Sequence, residues 1–217
     1  STVSEFLPAA PGHIRAFSAI TGELEWVFRT IPEPGDFGYD TWPEDAYKYI
    51  GGANSWTGLS LDVDRGIVYV PTGSATYDFY GANRTGQNLF SNCLLALNAE
   101  TGERIWHYQF VHHDLWDRDL SCPPNLTTVV HNGDVIDAVA QPTKQGYVYL
   151  FNRLTGEPLF EIEEVPVPES LMKDEVTWPT QPLPVKPPPF TRQELTEDLV
   201  TDISPEANAY VKKELKK

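Results

Sequence analysis

Ala96-Leu97-Asn98-Ala99-Glu100-Thr101-Gly102-Glu103-Arg104-Ile105-Trp106 reads as two short strands joined by a tight turn. An apolar strand runs into a polar stop, Thr101-Gly102 supplies the turn, and a second strand carries Trp106 four residues beyond the glycine. Glycine suits the turn because it adopts positive φ without a Cβ penalty. The pattern recurs upstream as Ala16-Phe17-Ser18-Ala19-Ile20-Thr21-Gly22-Glu23-Leu24-Glu25-Trp26, matching at Ala, Thr-Gly-Glu and Trp. It recurs downstream as Leu150-Phe151-Asn152-Arg153-Leu154-Thr155-Gly156-Glu157-Pro158-Leu159-Phe160, with Phe in place of Trp. Hairpins this small cannot bury an apolar face alone, so neighbouring repeats must stack.

Strand signals continue between the repeats. Gly58-Leu59-Ser60-Leu61-Asp62-Val63 alternates, Asp64-Arg65-Gly66 turns, and Ile67-Val68-Tyr69-Val70-Pro71 is β-branched and aromatic. Val135-Ile136-Asp137-Ala138-Val139-Ala140 and Tyr147-Val148-Tyr149-Leu150 extend the scheme. The fold class is all-β, with four-stranded propeller blades as the natural unit over residues 1–164. One repeat per blade gives about 2.5 blades, too few to close a ring without further blades or another copy. Residues 165–217 form a second region. Pro182-Leu183-Pro184-Val185-Lys186-Pro187-Pro188-Pro189 predicts an extended run without internal hydrogen bonds. Thr191-Arg192-Gln193-Glu194-Leu195 and Ser204-Pro205-Glu206-Ala207 predict capped starts of short helices.

Sixteen basic and 31 acidic residues give a net charge of -15 over 217 residues. That surface repels phosphate backbones and anionic lipid, which argues against nucleic acid as a partner. No run approaches the roughly 18 apolar residues of a membrane helix, and Ser1-Thr2-Val3-Ser4 lacks the basic start of a signal peptide. Cys93 and Cys122 are too few for a disulfide scaffold, and Cys93 in an apolar run reads as a buried free thiol.

His112-His113-Asp114-Leu115-Trp116-Asp117-Arg118-Asp119 packs two histidines, three aspartates and a tryptophan into eight residues after a strand. Such a loop can handle protons, hold a metal or simply be solvated, and the residues alone leave all three open. Lys144 before Gln145-Gly146 reads alone as a turn lysine, and Trp56 at a strand start as core.

Taken together, the repeats, Gly52-Ala53-Asn54-Ser55-Trp56, Val70-Pro71-Thr72-Gly73-Ser74 and the His112–Asp119 loop resemble the pyrroloquinoline-quinone (PQQ) dependent dehydrogenases, in particular the quinoprotein glucose dehydrogenase group. The resemblance covers nearly the whole chain and implies part of an eight-bladed propeller. It implies oxidation of a sugar or alcohol by hydride transfer to PQQ, with calcium (or magnesium) as the metal. Asp117 is then the general base and Lys144 the cation at the reactive quinone oxygens. Trp56 is the floor on which PQQ stacks, Thr76 and Ser74 are cofactor contacts, and Asp78 or Asn83 lie near. His112, His113 and Asp114 orient the loop or line the substrate pocket. Asp117 and Ser74 are candidate metal contacts, although alcohol-oxidising members carry an asparagine where Ser74 stands, which puts ligation by Ser74 in doubt. The resemblance also implies a periplasmic or secreted enzyme handing electrons to a cytochrome or quinone. A binding scaffold that kept only the repeats would have no need of Trp56, Asp117 and Lys144.

Overall fold

The structure is a computed structural model, and it describes residues 7–216. The N-terminal stretch Ser1-Thr2-Val3-Ser4 lies outside them. The strand signals become eleven strands, β1 (Ile14–Phe17), β2 (Leu24–Phe28), β3 (Ser60–Asp62), β4 (Ile67–Pro71), β5 (Cys93–Asn98), β6 (Arg104–Gln109), β7 (Asn125–His131), β8 (Asp134–Pro142), β9 (Val148–Asn152), β10 (Ile162–Pro166) and β11 (Thr180–Pro184). All pair antiparallel. One sheet, β3-β4-β5-β6, is a full four-stranded blade, β7-β8-β9 is three-stranded, and β1-β2 and β10-β11 are two-stranded.

The three repeat turns are superimposable in their bonding. Gly22, Gly102 and Gly156 have φ of 75°, 74° and 74°. In each turn the glycine N–H returns to Ser18, Asn98 or Asn152, whose own N–H donates to the carbonyl of Glu23, Glu103 or Glu157. The tryptophans do not finish their own hairpins. Trp26 lies flat on the turn of the next repeat, where a Cβ on Gly102 would sit 2.6 Å from its ring, and its Nε1 donates to the Ala99 carbonyl at 3.1 Å. Trp106 does the same at Gly156 and donates to the Arg153 carbonyl at 3.0 Å. Gly102 and Gly156 are therefore required twice, for φ and for the flat seat each gives an indole.

Behind the turns, Tyr69, Trp106, Phe110, Tyr149 and Phe151 form an aromatic core between the four-stranded and three-stranded sheets. An ion-pair cluster closes its edge. Arg65 binds Asp62 and Asp137, and Arg153 binds the same two carboxylates from the other sheet. Cys93 is buried and unbridged, Cys122 is also free, and burial pushes both thiols up.

The C-terminal region departs from expectation in two places. Thr180–Pro184 is strand β11, paired with β10 residue by residue from Ile162↔Pro184 to Pro166↔Thr180. The first prolines of the run thus belong to a two-stranded ribbon, where a missing N–H faces outward, and the ribbon crosses the expected boundary at residue 164. No helix starts at Thr191. Phe190 N–H donates to Gly146, and Thr191 and Gln193 side chains bond the Gln145 carbonyl. That tether to the β8–β9 turn holds the segment extended against its local preference. Ser204 does cap a helix, α1 (Pro205–Glu214), accepting from Ala207 N–H at 3.1 Å.

Candidate functional site

Four loops meet at one end of the sheets, and backbone bonds bring the first two together. Beyond β4, the 72–76 segment lies against residues 51–54, with Ala53 N–H on the Ser74 carbonyl at 2.7 Å and Gly73 N–H on the Asn54 carbonyl at 3.0 Å. This seats Trp56 beside Ser74. The indole is 53% exposed, with its Nε1 donating to Asp119 Oδ2 at 2.8 Å. An open aromatic face fixed at its polar edge suits stacking by a flat ligand.

Asp114 organises the third loop. Its buried carboxylate accepts from the Ser74 hydroxyl, from Asn92 Nδ2 at 2.9 Å, and from the backbone N–H groups of Trp116 and Arg118 at 2.9 and 2.6 Å. Beneath it the fully buried Arg84 donates to the carbonyls of Tyr77 and Asp114 and to Asn88 Oδ1. Burial lowers the Arg84 pKa to about 10, which leaves it charged at neutral pH. The loop leaves this anchor with Asp117 at φ 52°, a left-handed conformation more usual for glycine.

Asp117 then meets the fourth loop. Lys144 Nζ donates to both its carbonyl, at 2.6 Å, and its Oδ2, at 2.7 Å. Asp117 N–H donates to the Asp78 carbonyl at 3.1 Å, so Asp78 does lie near, and Asn83 Nδ2 reaches the Thr76 carbonyl at 3.3 Å. Thr76 is fully buried, and its hydroxyl has no partner among the described residues.

The two histidines serve the loop's packing. His112 lies between Gln109 and Glu164 and is clamped by Gln181 of β11, which accepts from its N–H and donates to its carbonyl. His113 is buried, with Nδ1 facing the Gly86 carbonyl and Asn88 Oδ1, so the ring is neutral with its proton on Nδ1. Burial first, then the Arg84 charge, brings its pKa to about 4. His113 and Asp114 also edge a cleft of about 580 Å³, which Trp116, Leu171 and Met172 border between this loop and the C-terminal region.

Trp56, Ser74, Asp114 and Asp119 thus form one hydrogen-bonded set with the Asp117–Lys144 pair on its rim. The set fits one face of a flat, anionic quinone: an open indole, an unpartnered Thr76 hydroxyl and a cation beside a carboxylate. It does not fit a calcium ion. Ser74 gives its hydroxyl to Asp114 and receives Asn92, Asp117 Oδ2 is held by Lys144, and no group of three His, Cys, Asp or Glu converges among the described residues. Ser74 and Asp117 each already engage a protein partner, so a metal there would need further oxygen donors. Sequence reading also passed over Asp119, Asn92 and Arg84. Asp119 stood in the dense loop without a role, whereas Arg84 and Asn92 carry no local signal.

Residues 3–217 match the family described as the PQQ glucose/ethanol/alcohol dehydrogenase β-propeller domain. The chain belongs to that family. It is 39% identical over 173 residues to the quinoprotein glucose dehydrogenase of Escherichia coli (strain K12), covering 79% of this chain and 21% of that protein. It is 38% identical over 188 residues to the quinate/shikimate dehydrogenase (quinone) of Acinetobacter baylyi (strain ATCC 33305 / BD413 / ADP1), covering 86% and 23%. Among solved structures, the quinohemoprotein alcohol dehydrogenase ADHIIG of Pseudomonas putida HK5 superposes with a TM-score of 0.64 at 31% identity, covering 69% of this chain and 24% of that one. The chain spans about a fifth of the length of the curated relatives it matches. No helix among the described residues is long and apolar enough to cross a membrane.

Proposed function

We propose that this chain supplies the stacking floor, the proton acceptor and the quinone-facing cation of a PQQ-dependent dehydrogenase acting on a sugar or alcohol. The observation that carries the reading is the open Trp56 face in the same loop cluster as the Asp117–Lys144 pair. PQQ, when bound, supplies an electron-poor carbonyl carbon that accepts hydride. Asp117 receives the proton of the substrate hydroxyl as the carbinol hydride departs. Lys144 holds Oδ2, leaving Oδ1 to accept. The same ammonium would offer its charge to the oxygens of a reduced quinone. His112, His113 and Asp114 orient the loop.

In this reading further blades complete the ring and the remaining PQQ contacts, and this chain by itself turns over little or no substrate. A calcium or magnesium ion needs oxygen donors beyond the described residues. Electrons pass to a separate cytochrome or quinone, in the periplasm or outside the cell. Titration of the chain with PQQ, followed by tryptophan quenching, tests the floor. Quenching present in the native chain and lost in Trp56→Ala supports it. A folded chain, and a protein carrying all its blades, that both leave PQQ unbound would favour a noncatalytic scaffold and sink the reading.

A further inference from the structure

We infer that Asp119 is a positioning residue whose carboxylate ties Trp56 to the strand end at Ser74 and so sets the plane of the indole. The role rests on the reading that Trp56 carries the cofactor. One carboxylate does both jobs. Oδ2 accepts from Trp56 Nε1 at 2.8 Å, and Oδ1 accepts from Ser74 N–H at 2.5 Å. A tryptophan has a single polar atom, so a bond in the ring plane at that atom removes rotation about χ2 while leaving the face open.

The approach of Asp119 is built into the backbone. Gly73 has no positive φ, so its glycine is not there for conformational freedom. A Cβ at Gly73 would overlap the Asp119 carboxyl group, so the missing side chain is what admits it. The site also contains its own control. Trp116 is 69% exposed in the same loop, and among the described residues its indole N–H has no acceptor. Of the two exposed tryptophans, only the one beside Ser74 has its polar edge anchored.

The test uses the native chain with Asp119→Ala, Asp119→Asn, Gly73→Ala and Trp56→Phe. Near-ultraviolet circular dichroism gives the Trp56 band as the difference between each protein and its Trp56→Phe counterpart. The band is expected to vanish in Asp119→Ala and in Gly73→Ala, where the carboxylate is present but displaced, and to weaken in Asp119→Asn, which can accept at one position only. PQQ affinity should fall about tenfold in Asp119→Ala, and less than about twofold when the same change is made on Trp56→Phe. A Trp56 band that survives in Asp119→Ala, or an equal affinity loss in both backgrounds, overturns the role. If neither the native chain nor a protein carrying all its blades binds PQQ, it is the cofactor reading that fails, and the band still decides whether Asp119 holds Trp56.

Discussion

Lys144 grips Asp117 twice, through one ammonium group that reaches both the backbone carbonyl and the side-chain carboxylate. A lysine that only neutralised charge would not need the carbonyl; here it also fixes the left-handed turn that presents the carboxylate. The two functions separate by substitution. In a protein carrying all its blades, Asp117→Asn keeps a residue type tolerant of φ 52° and removes the proposed base, so turnover should fall by roughly 10²–10⁴ with PQQ binding retained. Lys144→Met should weaken PQQ binding as well as turnover. Steady-state rates beside quenching titrations distinguish these outcomes.

The stacked indoles make a second expectation quantitative. Gly22→Ala, Gly102→Ala and Gly156→Ala impose the same left-handed strain, about 1–2 kcal/mol, because the three φ values agree within a degree. At Gly102 and Gly156 the new methyl also strikes Trp26 or Trp106, whereas at Gly22 no atom of the described residues lies within 4 Å. Denaturant unfolding of this chain should show Gly102→Ala and Gly156→Ala less stable than Gly22→Ala by a further 1–3 kcal/mol or so. Equal losses at all three would mean that the seats contribute nothing.

Arg84 is the buried cation on which the Asp114 loop rests. Arg84→Met fills similar space but strands the carbonyls of Tyr77 and Asp114 without donors. The expected loss is about 3 kcal/mol or more in urea unfolding. A loss under about 1 kcal/mol would show that water replaces the guanidinium.

His107 and His113 both have pKa values lowered to about 4, chiefly by burial, with Arg104 and Arg84 respectively adding to the effect. A folded value below the unfolded 6.5 means that the unfolded chain binds the extra proton. Stability should therefore decline as pH drops from about 6.5 and level off for these groups below about 4. His107→Gln and His113→Asn should each remove about one proton from that slope, and the left-handed φ of His113 suits asparagine. Unfolding free energies measured across this range provide the check.

Much of the architecture was legible because it repeats. Thr-Gly-Glu followed by Trp marks a turn whose chemistry is local, and local chemistry survives in sequence. The same reading did not say where each indole packs, since nothing local says that Trp26 belongs to Gly102. Candidates for the floor, base and cation came from family resemblance, and the chain brings Trp56, Asp117 and Lys144 into one loop cluster. What stayed hidden was held by long-range bonds: Asp119 across 63 residues to Trp56, and the 191–193 segment pinned to Gln145. A helix start at Thr191 was reasonable chemistry defeated by a distant carbonyl.

Four donors converge on the Asp114 carboxylate, and none of them comes from a ligand. The Asp114 loop therefore meets its ordering entropy during folding, before any cofactor arrives. Capture by such a preshaped surface loses little conformational freedom, so affinity is retained at low cofactor concentration and association need not wait for a rearrangement. The holding of one buried carboxylate thus becomes a kinetic property: a receptor that is ready before its ligand diffuses in.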